Sequence, residues 1–196
     1  NFPFREPLVP NLEKEDLFSL PYRELNYVKV TEGSPTLNHD QIDDFAQRLK
    51  HYKKGIIVCG SIEEETFIEA VIQLSHKLKY PIVADPLSQL RSGSHDKTNI
   101  IDTYATFLKF EEVKKELKPE IIIRFGAMPV SKALTIFIKE NKTAEHWIID
   151  SGNRWRDPTL SATEMIYSNE TDFCQLIGLK LDGNDDSTYL ETWQKI

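Results

Sequence analysis

Ile56-Ile57-Val58-Cys59 is a continuous apolar run that begins after Gly55 and stops at Gly60. A strand covered by helices on both faces carries apolar residues without alternation, so this run predicts a strand buried on both faces. Three further runs, which are continuously or nearly continuously apolar, lie at residues 82–84, 121–125 and 146–149. We expect the four runs to be neighbouring parallel strands of one sheet, and residues 163–167 are a candidate for a last strand.

Amphipathic segments separate these apolar runs. Ile42, Phe45, Ala46 and Leu49 follow helical spacing and predict a first helix. After Gly60, Ser61 and Glu64 have the spacing of a capping box, which predicts a second helix from there to about Leu78. Further helices are expected at 101–109, 111–117, 130–141 and 171–179. Strands that alternate with helices favour an α/β fold: a three-layer α/β/α domain with a mostly parallel sheet.

The first 35 residues have a different composition. They hold five of the ten prolines: Pro3, Pro7, Pro10, Pro21 and Pro35. Proline fixes φ and lacks an N–H donor, which excludes a long helix or a central strand here. We therefore expect an extended linker arm at 1–35, with one strand candidate at 26–30, and a central α/β domain at 36–196. A chain that begins with such an arm and without Met is expected to be part of a longer one.

Composition excludes several classes of protein. The chain has 196 residues, 40% of them hydrophobic, and a formal charge of -7 without a basic run, so no nucleic-acid partner is expected. The apolar runs are far shorter than the ~18 residues of a membrane span. Cys59 and Cys174 stand among apolar neighbours, and no Cys/His pair has zinc-ligand spacing. Buried, reduced thiols in a cytoplasmic protein are the simplest interpretation.

Candidate site residues lie where the predicted strands end, because ligands of open α/β sheets bind outside the carboxyl ends of the strands. The segments at these ends are Gly60-Ser61, Asp85-Pro86, Gly126-Ala127 and Asp150-Ser151-Gly152. The same residue types are also what tight turns require. Neither nucleotide motif is complete: G-x-G-x-x-G is absent, and residues 126–133 lack the second glycine and the hydroxyl residue of a phosphate loop.

Basic residues follow two of these segments within a few positions. Lys132 lies at a strand-to-helix junction, where free amides and the helix dipole favour an anion; the alternative is a solvated lysine. Arg154 and Arg156 flank Trp155 just after a strand end. They can clamp a carboxylate or phosphate, or they can pair with the neighbouring Asp150 and Asp157 while the tryptophan packs on the sheet edge.

The other ionisable residues give little support for a site. The five histidines are scattered without metal-ligand spacing, and most are expected on the surface. The acidic run at 63–65 is best explained as the first turn of the second predicted helix, where carboxylates are favourable.

Three segments together resemble one enzyme family. They are Asn1-Phe-Pro-Phe-Arg-Glu-Pro-Leu-Val-Pro10, Ala84-Asp-Pro-Leu-Ser-Gln-Leu-Arg91 and Ile123-Arg-Phe-Gly-Ala-Met-Pro-Val-Ser-Lys132. The chain resembles 2-succinyl-5-enolpyruvyl-6-hydroxy-3-cyclohexene-1-carboxylate synthase, the thiamine-diphosphate enzyme of menaquinone biosynthesis. The resemblance implies the central domain of that longer, homo-oligomeric enzyme, which lies between a pyrimidine-binding and a diphosphate-binding domain.

The resemblance also implies an activity and its cofactors. The family is a transferase that decarboxylates 2-oxoglutarate and joins the product to isochorismate, with thiamine diphosphate and Mg²⁺ or Mn²⁺. The family's diphosphate site needs a Gly-Asp-Gly motif that this sequence lacks; residues 182–185 are no substitute, because they follow a predicted helix. The resemblance therefore implies that this chain alone holds no catalytic residue, metal ligand or cofactor and is inactive.

One substrate-binding residue carries over from the family. Lys132 matches the first residue of a basic pair that reaches substrate carboxylates in some members, whereas Ala133 departs from the second. Two alternative functions of this chain remain open. One is a regulatory module for a small anion, with Arg91, Arg124, Arg154 and Arg156 as candidate anion-binding residues. The other is a spacer that only holds the catalytic domains in register.

Overall fold

The strands form one parallel sheet. In a computed structural model that describes residues 29–196, the strands are β1 (Gly55–Cys59), β2 (Ile82–Ala84), β3 (Ile100–Ile101), β4 (Ile121–Phe125), β5 (Glu145–Ile149) and β6 (Glu164–Ile166). Their order is β3-β2-β1-β4-β5-β6, and every neighbouring pair is parallel. The four apolar runs are β1, β2, β4 and β5, so the predicted parallel arrangement is confirmed, and the candidate last strand is β6.

Helices cover both faces of this sheet. They are α1 (His39–Leu49), α2 (Glu65–Leu78), α3 (Tyr104–Phe107), α4 (Glu111–Glu116), α5 (Lys132–Glu140), α6 (Glu170–Lys180) and α7 (Thr188–Lys195). One apolar cluster joins α1, α2 and α6 to one face of the sheet. A second cluster joins α3, α5 and α7 to the other face. The expected three-layer α/β/α fold is therefore confirmed, with one buried layer on each side of the strands.

The first helix follows the prediction because local and tertiary signals agree. The Asn38 side chain accepts the backbone N–H of Gln41 at 2.9 Å, and the Gln41 side chain accepts that of Asn38 at 3.0 Å. This reciprocal capping box satisfies two donors that a helix start otherwise leaves open. The apolar stripe from Ile42 to Leu49 is buried against the sheet, as its spacing predicts.

The predicted start of the second helix is wrong. Ser61 is not its N-cap: α2 begins at Glu65, after Glu64, which makes no capping hydrogen bond with its side chain. Only Glu65 of the acidic run therefore lies in the first turn. The physical reason is tertiary, since the main chain of Ser61 packs against Gly126 in the loop after β4.

The sequence-based prediction misses two elements. β3 has two residues and lies at the start of a segment that the sequence predicts as helical; it adds to the sheet edge through the Ile82 N–H, which donates to the Asn99 carbonyl at 2.8 Å. α7 was not predicted, yet it buries Tyr189, Leu190 and Trp193. The predicted burial of Cys59 and Cys174 as free thiols is confirmed.

The predicted arm lies largely outside the described residues, and so does most of the strand candidate at 26–30. The boundary between arm and domain therefore stays a prediction. Residues 34–196 form one compact unit. Within residues 29–196, no helix is long and apolar enough to cross a bilayer.

The loops after β1 and β4 approach each other so closely that glycine is required. A Cβ atom on Gly60 would lie 1.7 Å from the Ala127 carbonyl oxygen, which is backbone and cannot rotate away. We expect Gly60→Ala to lower the free energy of unfolding by roughly 1–3 kcal/mol, because the two loops must separate. Urea denaturation of the purified chain measures the change.

Gly178→Ala is the matched control for this substitution. Gly178 lies inside α6, and a Cβ atom there meets nothing within 4 Å. Alanine is favoured over glycine in a helix interior by about 0.5–1 kcal/mol, so this variant should be as stable as the wild type or more so. A Gly60→Ala protein as stable as the wild type would contradict the close approach of the two loops.

Candidate functional site

The polar cavity of the sheet lies where the strand order reverses. β1 continues to β2 and β3 on one side, while β4, β5 and β6 extend on the other. A cavity of about 390 Å³ opens there, lined by Ser61 after β1, Gly126 after β4 and Asp150 after β5. This is the position at which open α/β sheets bind ligands, so the cavity opens at the edge where the sequence predicts a site.

The cavity brings together two of the four candidate anion-binding arginines. Arg154 and Arg156 line it together with four carboxylates, from Glu63, Glu64, Asp150 and Glu170. The Arg156 Nε atom pairs with Asp150 Oδ2 at 3.0 Å. The Glu170 carboxylate accepts the backbone N–H of Ser151 at 3.2 Å. The lining therefore contains more carboxylates than guanidinium groups, and the cavity carries charges of both signs.

Arg91 and Arg124 have other positions. Arg91 lies beyond β2, where its Nε donates to the Ala84 carbonyl at 2.8 Å and its guanidinium lies 5.7 Å from the Tyr104 ring centroid. Arg124 is fully buried within β4, and its Nη2 donates to the backbone carbonyl of Arg156. Neither side chain lines the cavity that holds Arg154 and Arg156.

The two interpretations of the segment 154–156 are resolved in part. The ion pair of Arg156 with Asp150 supports the structural interpretation. Packing of Trp155 on the sheet edge is wrong, since 70% of this residue is exposed. Neither Arg154 nor Arg156 pairs with Asp157, whose carboxylate accepts the backbone N–H groups of Thr159, Ser161 and Ala162. Those hydrogen bonds hold the turn that leads to β6.

A buried histidine and a buried arginine lie in the neighbouring strands β5 and β4, and the sequence pattern alone does not identify them. His146 in β5 is 2% exposed, an exception to the expected surface histidines. Burial and the nearby Arg124 cation lower its pKa to about 4, against the opposing effect of Asp157. Burial also lowers the pKa of Arg124 to about 10. Among residues 29–196, His146 Nε2 and the Arg124 Nε and Nη1 atoms have no hydrogen-bond partner.

The junction that carries Lys132 forms as predicted. Lys132 is exposed and is the first residue of α5. Ser131 is the N-cap and accepts the backbone N–H of Leu134 at 3.4 Å. An exposed cation here lies beside the positive end of the helix dipole, which also favours an anion.

The prediction of free amides at this junction is partly wrong. Two backbone N–H groups already donate to side chains of this chain: that of Leu134 donates to Ser131, and that of Val130 donates to Asp85. Asp85 Oδ2 lies 2.9 Å from the Val130 backbone nitrogen. The sequence suggested Asp85 only as a turn residue, because nothing in its local pattern shows a bond to a residue 45 positions away.

In the part of the chain that the structure describes, no site fits the cofactor or metal of the resembled family. Among the described residues, no group of three or more His, Cys, Asp or Glu side chains is placed to hold a metal ion. The segment 182–185 follows α6 rather than a strand, and the whole sequence lacks Gly-Asp-Gly.

A six-stranded parallel sheet with a polar cavity at its switch point defines an α/β domain of the nucleotide-binding type. The family model of the middle domain of thiamine pyrophosphate enzymes matches residues 21–190. The chain belongs to this family. The match covers nearly all of the α/β domain described above.

Curated relatives narrow the resemblance. The chain is 41% identical over 196 residues to 2-succinyl-5-enolpyruvyl-6-hydroxy-3-cyclohexene-1-carboxylate synthase of Bacillus cytotoxicus, covering 100% of this chain and 33% of the relative. It is 40% identical over 197 residues to the synthase of Geobacillus thermodenitrificans, again covering 100% and 33%. These relatives confirm the resemblance to the synthase, and the chain spans about a third of their length.

A solved structure agrees on the fold. A thiamin diphosphate-dependent enzyme isolated from Mycobacterium smegmatis has a TM-score of 0.52 and 14% sequence identity. The match covers 82% of this chain and 31% of that one. At this identity the likeness concerns the fold alone.

Proposed function

We propose that this chain is the central domain of a thiamine-diphosphate-dependent synthase that decarboxylates 2-oxoglutarate and adds the succinyl semialdehyde unit to isochorismate. The observation that carries the proposal is the match along the whole chain, at 41% identity, to a relative named for that product. The membership in the thiamine pyrophosphate middle-domain family agrees with it.

The proposal divides the work between this chain and the remaining two thirds of a longer protein. Thiamine diphosphate and Mg²⁺ or Mn²⁺ would be held by the other domains, because this sequence has no Gly-Asp-Gly motif. When bound, that cofactor stabilises the carbanion left by decarboxylation. This chain alone would be inactive, and its contribution would be to position the catalytic domains and to offer one cation to a substrate.

Lys132 is the residue that would meet the substrate. It is exposed at the carboxyl edge of the sheet, and it is the first residue of α5. Both substrates carry two carboxylates, and a carboxylate at this position gains from the ammonium charge and from the helix dipole together.

Two measurements test the division of labour. The longer protein should release CO₂ from 2-oxoglutarate over many turnovers only when isochorismate, thiamine diphosphate and Mg²⁺ are all present, because without isochorismate each active site can decarboxylate once but has no acceptor for the product. The 196-residue chain should show no saturable heat when thiamine diphosphate and Mg²⁺ are added in a calorimeter. An inactive longer protein would refute the proposed reaction, and micromolar binding to the short chain would refute the proposed location of the cofactor.

The alternatives have different support. The regulatory anion module rests on Arg154 and Arg156 in the 390 Å³ cavity, and it stays a prediction because four carboxylates line the same space. The spacer hypothesis is decided by the Lys132 variant discussed below. The homo-oligomer and the cytoplasmic location also stay predictions.

A further inference from the structure

One buried carboxylate joins the ends of β2 and β4. Asp85 is 1% exposed and directly follows β2. Its Oδ1 accepts the backbone N–H of Leu87 at 2.9 Å, and its Oδ2 accepts that of Val130 at 2.9 Å. The first bond forms the turn after β2, whereas the second reaches a different loop, the one that leads into α5. We name this pair of bonds the Asp85 bridge.

The loop after β4 is therefore held from two sides. Its start at Gly126 packs against the main chain of Ser61, where a Cβ atom would lie 2.5 Å from the Ser61 carbonyl oxygen. Its end at Val130 is held by the Asp85 bridge. Ser131 and Lys132 follow Val130 directly, so the bridge fixes the point from which α5 and its first side chain begin.

Burial of the Leu87 and Val130 side chains does not hold their backbone amides in place at the Asp85 bridge. Leu87 is 57% exposed and Val130 is 72% exposed, so neither amide is held in place by burial of its own side chain. A buried carboxylate is costly unless its oxygens accept hydrogen bonds, and here each oxygen accepts one from a different loop. The arrangement fixes the main chain at the carboxyl edge rather than adding to the apolar core.

We propose that Asp85 is a positioning residue, which holds the loop after β4 so that Lys132 presents its ammonium to the substrate carboxylate. This inference rests on the proposed function. The bridge acts through the main chain of Val130, and Asp85 itself, being buried, does not touch the substrate.

Two substitutions of Asp85 differ in how many acceptor oxygens they remove. Asp85→Ala removes both acceptor oxygens and, in the longer synthase, should lower kcat/KM about tenfold for the same substrate that Lys132→Ala affects. Most of this loss should lie in KM, and the KM of the other substrate should change less than twofold. Asp85→Asn keeps one oxygen and should fall between the wild type and Asp85→Ala, because an amide NH₂ cannot accept a hydrogen bond.

The double variant decides whether Asp85 acts through Lys132. In a Lys132→Ala background, Asp85→Ala should change kcat/KM less than twofold, because the side chain that it positions is already absent. An equal loss in both backgrounds would show a general structural effect and would overturn the proposal. Asp96→Asn is the control: its carboxylate accepts the Thr98 backbone N–H at 2.9 Å and contacts the His76 side chain instead of the loop after β4, so kinetics should be unchanged.

Hydrogen exchange tests the bridge without catalysis. In the 196-residue chain, the Val130 amide should exchange at least tenfold faster in Asp85→Ala than in the wild type, whereas the Ile57 amide within β1 should keep its rate. If Asp85→Ala fails to fold, Asp85→Asn replaces it, with acceleration at Leu87 or Val130 as the expected result. Unchanged exchange at both amides would overturn the bridge.

The outcomes separate this inference from the proposed function. A wild-type longer protein that makes no product refutes the proposed reaction, and the exchange rates then still decide whether the bridge exists. An active longer protein whose Asp85→Ala variant keeps kcat/KM within twofold for both substrates refutes the role of Asp85 alone.

Discussion

Lys132→Ala in the longer synthase is expected to lower kcat/KM for one of the two substrates by about 10- to 150-fold. A charge-assisted hydrogen bond to a carboxylate contributes roughly 1.5–3 kcal/mol, and 1.36 kcal/mol corresponds to a factor of ten in rate. Ala133 offers no second cation next to it, so Lys132 would carry this contact without help from its neighbour. Steady-state kinetics with each substrate varied in turn measures the effect.

This experiment has two controls, the stability of the Lys132→Ala variant and a second lysine substitution in the same helix. Lys132 is exposed, so its replacement should change the free energy of unfolding by no more than about 0.5 kcal/mol. Lys139→Ala removes an exposed lysine from the last turn of the same helix and should leave both kcat/KM values unchanged. If Lys132→Ala also keeps both values within twofold of the wild type, Lys132 is a solvated helix residue and the spacer hypothesis gains.

The sheet could be predicted because its signal is local. β1 and β4 are buried at every position, so their sequences are apolar without alternation, apart from the buried Arg124 in β4. Glycine and aspartate mark where such strands stop. α1 could be predicted equally well, because its apolar stripe has helical spacing and is buried as that spacing predicts.

The missed elements depend on contacts that a local pattern does not contain. β3 has only two residues, which is too short for any periodicity. Ser61 has the correct spacing for an N-cap, but the approach of Gly126 keeps its main chain out of the helix. Propensity at a single position is weak, and tertiary packing overrides it.

The site shows the same division. The edge at which the polar cavity opens could be predicted from where the strands end, whereas Lys132 is a prediction that rests on the family motif alone. The Asp85 bridge and the burial of His146 could not be predicted, because each depends on a partner from another strand or loop. His146 shares one face of the sheet with Arg124 only because β4 and β5 pair in register, with Ile122 opposite His146.

Stability should depend on pH through His146. Burial, together with the neighbouring Arg124 cation, lowers the pKa of this histidine to about 4 in the folded chain, whereas an unfolded histidine titrates near 6.5. Between these values the unfolded chain binds a proton that the folded chain does not. The free energy of unfolding should therefore be highest above about pH 6.5 and fall by about 3 kcal/mol in total as the pH falls to about 4.

Urea denaturation at several pH values between 4 and 7 measures this loss. His146→Gln removes the titrating group, so its stability should fall less steeply than that of the wild type, by up to about 1.4 kcal/mol per pH unit. The comparison uses slopes, because glutamine also changes the packing around Ser161, whose hydroxyl lies 3.1 Å from the histidine Nδ1. His39→Gln replaces an exposed histidine and should keep the wild-type slope. Equal slopes for His146→Gln and the wild type would mean that the pKa of His146 is the same in the folded and the unfolded chain. A local opening of the fold would then have to expose this histidine to water.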